Sequence, residues 1–214
     1  PEGGLMSTIS PYALGATLYM PATRHDLADV VLNGKIPGLR SLVICLEDAV
    51  SDSDVEGGVE NLKELLANID RAGGRTRSDP VLFVRPRNIE MAKGLNDLQL
   101  IHHADGFVAP KLNLPTLQGW QQAMTNPSLM VMPTLETRDV FDPVAMVELR
   151  DALAETLKKK ILALRIGGND LMGCLGLRRS SSHTLYSTPM GYVIPMLAGI
   201  MGAAGFYLTA PVFE

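Results

Sequence analysis

Short apolar runs rich in β-branched residues alternate along the chain with longer stretches whose apolar residues recur every three or four positions. The runs 15–20 (GATLYM), 41–47 (SLVICLE), 80–86 (PVLFVRP), 105–111 (DGFVAPK), 129–136 (LMVMPTLE), 161–168 (ILALRIGG) and 206–212 (FYLTAPV) read as strands. The intervening segments 22–34, 54–74, 92–103, 114–124, 143–160 and 190–204 read as helices. In 54–74, Val59, Leu62, Leu65, Leu66 and Ile69 share one face, and Gly73-Gly74 marks the stop. Pro115 sits in the first turn of 114–124, where proline is tolerated. In 143–160, Val147, Leu149, Leu153 and Leu157 form the apolar side, and Lys158 to Lys160 close the helix where cations suit its dipole.

Strands apolar on both faces, separated by helices, predict a mostly parallel sheet. Two architectures compete, a closed (β/α)8 barrel and a doubly wound open sheet. No GxGxxG follows the first strand, so a dinucleotide-binding sheet has no support. The polar strand ends favour the barrel. Arg24 and His25, Glu47 and Asp48, Arg85, Lys111, Glu136, the run Gly167-Gly168-Asn169-Asp170, and Glu214 each follow a strand. In a barrel these ends converge on one rim, where barrel enzymes keep their chemistry. The expectation is therefore an α/β protein, a TIM-type (β/α)8 barrel in a single domain over residues 1–214, with 1–14 a loose arm. Barrels typically run to about 250 residues, and seven strands are legible here. The eighth unit is absent, replaced by an N-terminal segment, or left open.

Composition narrows the class. Of 214 residues, 46% are apolar and 20% charged, as in a soluble globular domain. The net charge of -4, without clustered basic residues, excludes a nucleic-acid footprint. No apolar run is long enough for a membrane span, and the N-terminus lacks the features of a signal peptide. Cys45 and Cys174 lie in no zinc-type spacing and read as small buried hydrophobes in a reducing, cytoplasmic compartment. The eleven methionines read as core filler.

On the rim, Glu47, Asp48, Glu136 and Asp170 are carboxylates and Arg85 and Lys111 are cations. One or two carboxylates with open positions suit Mg²⁺. A divalent cation beside an arginine could grip a keto or hydroxy acid and stabilise an enolate oxygen. Each group also has a plainer role. Glu136 could pair with Arg138 or Arg85, Asp170 could cap the turn LMGCLG, Glu47-Asp48 could start a helix, and Lys111 could be a salt-bridge partner. The Ser-rich loop 178–189, with Arg178 and Arg179, is either a lid over an anionic ligand or a surface loop. His25 is the rim histidine, while His102-His103 should face solvent at a helix end.

The segments YMPATRHD, CLEDAV, VRPRN, the PKL after DGFVA, the LET of MPTLETRDVF and GGNDLMGCLG, taken in this order, resemble the citrate lyase β-subunit-like branch of the HpcH/HpaI aldolase superfamily. The resemblance runs from about residue 15 to 214. It implies a carbon–carbon lyase on a TIM barrel, with Mg²⁺ (or Mn²⁺) held by Glu136 and Asp170. It implies that Arg85 binds the substrate carboxylate or enolate oxygen and that Glu47 and Asp48 orient water or substrate. Lys111 matches the lysine after the fourth strand, and Gly168 and Asn169 would add contacts beside Asp170. Arg24 is a further substrate-contact candidate. The chain departs from the pattern at Cys45, where relatives carry Asp, at Arg87 in VRPRN, and at the Ala of PATRH. The relatives' segment beyond the seventh strand, which carries acyl-CoA contacts, is not matched, and this argues against a CoA thioester substrate. The expected partner is a small carboxylate or keto acid, with no nucleic acid and no membrane, in a homo-oligomer to which the small-residue helix 190–204 could contribute. Acyl-CoA thioester hydrolysis on the same site, or an idle barrel serving in a complex, are the alternatives.

Overall fold

The computed structural model describes residues 9–212. Seven strands, β1 (Thr17–Pro21), β2 (Ser41–Cys45), β3 (Val81–Arg85), β4 (Gly106–Ala109), β5 (Met130–Leu135), β6 (Leu164–Ile166) and β7 (Leu208–Thr209), lie in one sheet in sequence order. Every neighbouring pair is parallel. A doubly wound sheet would reverse its strand order at a switch point. Unbroken sequential order is the barrel pattern, and the described residues supply seven of its eight strands. The helices that return the chain are α1 (Leu27–Leu32), α2 (Val55–Arg71), α3 (Ile89–Asn96), α4 (Leu114–Ala123), α5 (Pro143–Thr156), α6 (Gly168–Cys174) and α7 (Met190–Ala203).

The two-residue period of the strands sorts their side chains between two cores. Leu42, Ile44, Leu82, Val84, Phe107, Val131, Leu135 and Leu164 face outward, onto Leu62, Leu66 and Ile69 of α2, Trp120 of α4 and Leu149 and Leu153 of α5. Val43, Phe83, Val108, Met132 and Ala163 point inward and form a smaller core with Leu14. The interior is thus packed rather than hollow, as in other barrels of this type. Leu14 closes it at the strand-start end, where Ser41 Oγ donates 2.6 Å to the Leu14 carbonyl. The described part of the expected loose arm, 9–14, is therefore a plug, built on a short 3-10 turn over Pro11–Ala13 that Ser10 caps.

Several boundaries differ from the sequence reading. The helix expected over 92–103 starts earlier, at Ile89, where the Asn88 side chain accepts from the Met91 amide. It ends at Asn96, and 101–103 form a separate 3-10 turn. His103, expected to face solvent, instead reaches Asp70 of α2 at 3.0 Å. The sixth and seventh strands shrink to three and two residues. The turn expected at LMGCLG belongs to α6, which opens at Gly168 with Gly167 as its N-cap, so Asp170 lies in the first turn rather than capping it. Val59 and Val147 are only partly buried, while Leu62, Leu65, Leu66, Ile69, Leu149, Leu153 and Leu157 are buried.

Gly106 is a tight point of the sheet. A Cβ there would lie 2.1 Å from the Met130 carbonyl oxygen and 2.8 Å from the Phe83 ring. Gly106→Ala should therefore destabilise the fold by about 1–3 kcal/mol through overpacking, read as a lower denaturation midpoint with an unchanged m-value.

Candidate active site

The rim residues gather around Arg85, the last residue of β3. Its register partner on β2 is Cys45, an inward position, so the guanidinium is directed into the barrel mouth. Its Nη2 lies 2.6 Å from Glu47 Oε2, 3.2 Å from Glu136 Oε1 and 3.3 Å from Asp48 Oδ2. Arg85, Glu47 and Glu136 are all buried. A buried charge survives only when paired, and here one cation serves three carboxylates. Of the two partners open to Glu136 in the sequence, Arg85 takes the role, while Arg138 bonds the Cys174 carbonyl.

Lys111 binds both buried acids. Its Nζ reaches Glu47 Oε1 at 2.8 Å, and its backbone N–H donates 2.8 Å to Glu136 Oε1. The second bond requires a left-handed backbone at Lys111, with φ of 50°. A lysine there is uncommon, and strain of this kind concentrates at functional sites. Gly167 gives Glu136 its room, since a Cβ at 167 would lie 2.4 Å from the Glu136 Cβ. Arg87 holds the loop that carries Glu47 and Asp48 by donating to the carbonyls of Leu46, Glu47 and Val50, and it pairs with Asp52.

A cavity of about 250 Å³ opens on this cluster. Asp48, Arg85, Glu136, Gly168, Asn169 and Asp170 line it, together with Tyr19, Thr134 and Arg165. Asp170 enters from the first turn of α6. Arg179 of the Ser-rich loop donates 2.7 Å to the carbonyl of Val212, which also lines the cavity. Arg24 stands apart. Its half-exposed side chain pairs with Asp26 and borders a separate recess with His25 and residues of α2. The fold ends β1 at Pro21, so the next residues turn away from the mouth before α1 begins. Arg24 is thus not among the residues that line the cavity beside Arg85 and Asp170.

Burial, with repulsion among the carboxyls, shifts their titration. Burial, only partly offset by Arg85 and the Lys111 amide, raises Glu136 to about 7, and the charges of Asp170 and Glu47 add to the rise. Asp48 is raised to about 6 by burial, by its hydrogen bond with Glu47 and by that group's charge. Its side chain is 59% exposed, so the Glu47 contribution outweighs burial. Glu47 goes the other way. Burial pushes it up, but bonds from Asp48 and Lys111 and the Arg85 charge hold it below the usual range. Two neighbouring acids with opposite shifts can hold one proton between them.

Among the described residues, no three His, Cys, Asp or Glu side chains form a ready-made metal cluster. Mg²⁺ does not require one, since it is commonly held by one or two carboxylates with water completing the octahedron. Glu136 and Asp170 face the same cavity, and both offer the hard oxygen donors that such a cation takes. That donor set fits a hard divalent cation.

Tyr19, Thr134 and Arg165 were not singled out by the sequence reading. The available signal was the arginine inside the apolar run ILALRIGG. Its lone charge amid apolar neighbours is unusual for a strand buried on both faces.

The family model for carbon–carbon bond lyases of the TIM-barrel fold matches residues 8–214. The chain belongs to this family. The family's activity class is carbon–carbon lyase, and the sequence resemblance leads to the same class. No curated protein sequence matches the chain. Solved structures share the lyase fold at low identity. RipC from Yersinia pestis has 20% identity and a TM-score of 0.62, over 92% of this chain and 76% of that one. A citrate lyase β subunit from M. tuberculosis, complexed with oxaloacetate and magnesium, has 16% identity and a TM-score of 0.59, over 90% and 75%. Malate synthase from Haloferax volcanii has 15% identity and a TM-score of 0.66, over 90% and 61%, so this lyase chain spans less than two thirds of that enzyme.

The carboxyl shifts set a pH dependence. A carboxyl raised in the fold contributes stability that is full below its unfolded value and is lost as pH rises through the folded one. For Asp48 and Glu136 that loss runs from the ordinary carboxylate range up through about 6 and 7. The lowered Glu47 acts only at more acidic pH. The melting temperature of metal-free protein should therefore fall from pH 5.5 to 8, and Glu136→Gln should flatten that fall in a pH series of thermal melts.

Proposed function

We propose that this chain is a divalent-metal-dependent lyase that makes or breaks a carbon–carbon bond next to a carbonyl in a small carboxylated substrate, through an enolate. The observation that carries this reading is the single buried Arg85 shared by Glu47, Asp48 and Glu136, in a cavity that Asp170 also lines. Glu136 and Asp170 would hold Mg²⁺, which when bound supplies Lewis-acid polarisation of the adjacent carbonyl. The M. tuberculosis citrate lyase β subunit described above was solved with magnesium and oxaloacetate, which is in keeping with this choice.

The chain's own residues supply the rest. In the cleavage direction a β-hydroxyl loses its proton, its oxygen becomes a carbonyl, and the electron pair of the broken carbon–carbon bond passes to the enolate. Arg85, fixed by its carboxylates, donates to the substrate oxygen on which that charge collects. The Glu47-Asp48 pair can take the hydroxyl proton, because one member is held low while the other is raised. Lys111 keeps Glu47 in place and adds positive charge at the mouth.

Deuterium exchange tests this directly. Protein is incubated with Mg²⁺ in D₂O, and the methyl protons of pyruvate, and separately of acetyl-CoA, are followed by NMR. Metal-dependent exchange is expected with one of the two. It should disappear in Asp170→Ala and fall by about 100-fold or more in Arg85→Met, which removes one charge-stabilising donor. No exchange together with no Mg²⁺ binding by calorimetry would overturn the lyase reading. Mg²⁺ binding without exchange, accompanied by free thiol released from a malyl-type thioester, would replace it with thioester hydrolysis.

A further inference from the structure

Below the rim, three register-matched residues face the barrel interior side by side. Thr134 of β5 pairs with Arg165 of β6, and Arg165 pairs with Thr209 of β7. In all three a buried polar atom lacks any hydrogen-bond partner: Thr134 Oγ1, Arg165 Nη1 and Thr209 Oγ1. Arg165 is 8% exposed, and no carboxylate among the described residues forms an ion pair with it. Its guanidinium reaches across the interior to the Tyr19 ring on β1, at 4.9 Å from the ring centroid. Arg165, Thr134 and Tyr19 all line the cavity whose mouth carries Arg85, Glu136 and Asp170.

Two other arginines among the described residues, the partly buried Arg75 and the buried Arg85, are set differently, although Arg85 Nε also lacks a partner. Arg75 spends its guanidinium on Asp105 and on the carbonyls of His103 and Pro80. Arg85 is surrounded by acids. Arg165 has an aromatic face and two hydroxyls instead. Leaving a buried charged donor unmet is costly, so a fold that retains one has a use for it. Two threonine hydroxyls beside a guanidinium form a donor set for an oxyanion. Burial lowers the proton affinity of Arg165 and the nearby Arg85 adds to that, while the Tyr19 hydroxyl and the Glu136 charge act the other way.

We infer that Arg165, with Thr134 beside it and Tyr19 across from it, is a buried carboxylate-binding subsite in the cavity that Glu136 and Asp170 also line, which selects substrates bearing a second anionic group. This rests on the lyase reading for where the first end of the substrate lies. It assigns Arg165 to specificity rather than to bond cleavage.

The test compares two stable acids that share a 2-hydroxycarboxylate and differ by one distal carboxylate. Wild type, Arg165→Met and Arg165→Lys are titrated with malate and with lactate by calorimetry in the presence of Mg²⁺. Wild type should favour malate by about tenfold or more, the amount one buried charge-assisted hydrogen bond provides. In R165M the malate-to-lactate ratio should collapse to near one, and R165K should restore part of it. Melting curves of R165M should show a fold at least as stable as wild type, since an unpaired buried charge has been removed. If R165M does not fold, Thr134→Val gives the same reading by reducing the ratio. A wild-type ratio near one, a ratio that survives R165M, or malate that fails to bind while Mg²⁺ does, would overturn the subsite and leave the lyase reading standing. Arg165-dependent malate binding that ignores Mg²⁺ and Asp170→Ala would keep the subsite and sink the lyase reading.

Discussion

A guanidinium buried among acids is the constraint on which the rest of the rim depends. Removing water from Arg85, Glu47 and Glu136 would be prohibitive for any of them alone. Together they are tolerable only in a fixed geometry, with Arg85 Nη2 inside 3.3 Å of three carboxylates. The surrounding structure serves that geometry. Parallel register directs Arg85 inward, Gly167 leaves space for Glu136, Lys111 bends into a left-handed conformation to donate its amide, and Arg87 clasps the loop behind Glu47. Such a set of supports holds reacting groups in one arrangement without help from a substrate.

The same cluster is imbalanced by design of its charges. Four carboxylates border the mouth beside only Arg85 and Lys111, and burial together with the neighbouring acids makes Glu136 and Asp48 hold protons more tightly than free carboxyls do. A site that stabilises only itself would be expected to balance its charges. More carboxylates than cations facing a cavity fit the cation-binding role proposed for Glu136 and Asp170.

The parallel sheet and the convergence of polar strand ends were legible because they depend on period and position. Apolar two-faced strands and acids or bases placed just after them are written directly in the residues 41–48, 80–85 and 129–136. Element ends were less legible. The 161–168 run looks strand-like throughout, yet the strand is confined to Leu164–Ile166: Ile161 makes only an isolated bridge to Val131, and Gly167 and Gly168 already turn into α6. Arg24 was misplaced for a similar reason. Proximity to a strand end suggested the rim, but the chain turns after Pro21, and Asp26 captures the arginine. The second layer of the site was invisible for another reason. Tyr19, Thr134 and Arg165 meet only through barrel curvature, which brings β1 and β6 to face each other across the interior, and no local spacing encodes that approach.

The barrel interior therefore changes character along its axis, and the change is informative. At the strand starts, Leu14, Val43, Phe83, Val108 and Met132 fill it with hydrocarbon, which fixes the sheet and excludes water. At the strand ends, acids pair with the Arg85 Nη2, although its Nε has no partner. Between them lies a layer that does neither: Thr134, Arg165 and Thr209 carry buried polar atoms with no partners. Apolar residues there would extend the lower core and raise stability, since buried polar groups are a net cost unless fully bonded. Natural sequences tolerate such a cost chiefly where function needs it. The incomplete layer lies next to a cavity rather than inside solid packing, so its missing partners have a route in from the mouth. What fills that layer is best understood as part of the ligand, and the specificity of this lyase would then be decided one step below the residues that perform its chemistry.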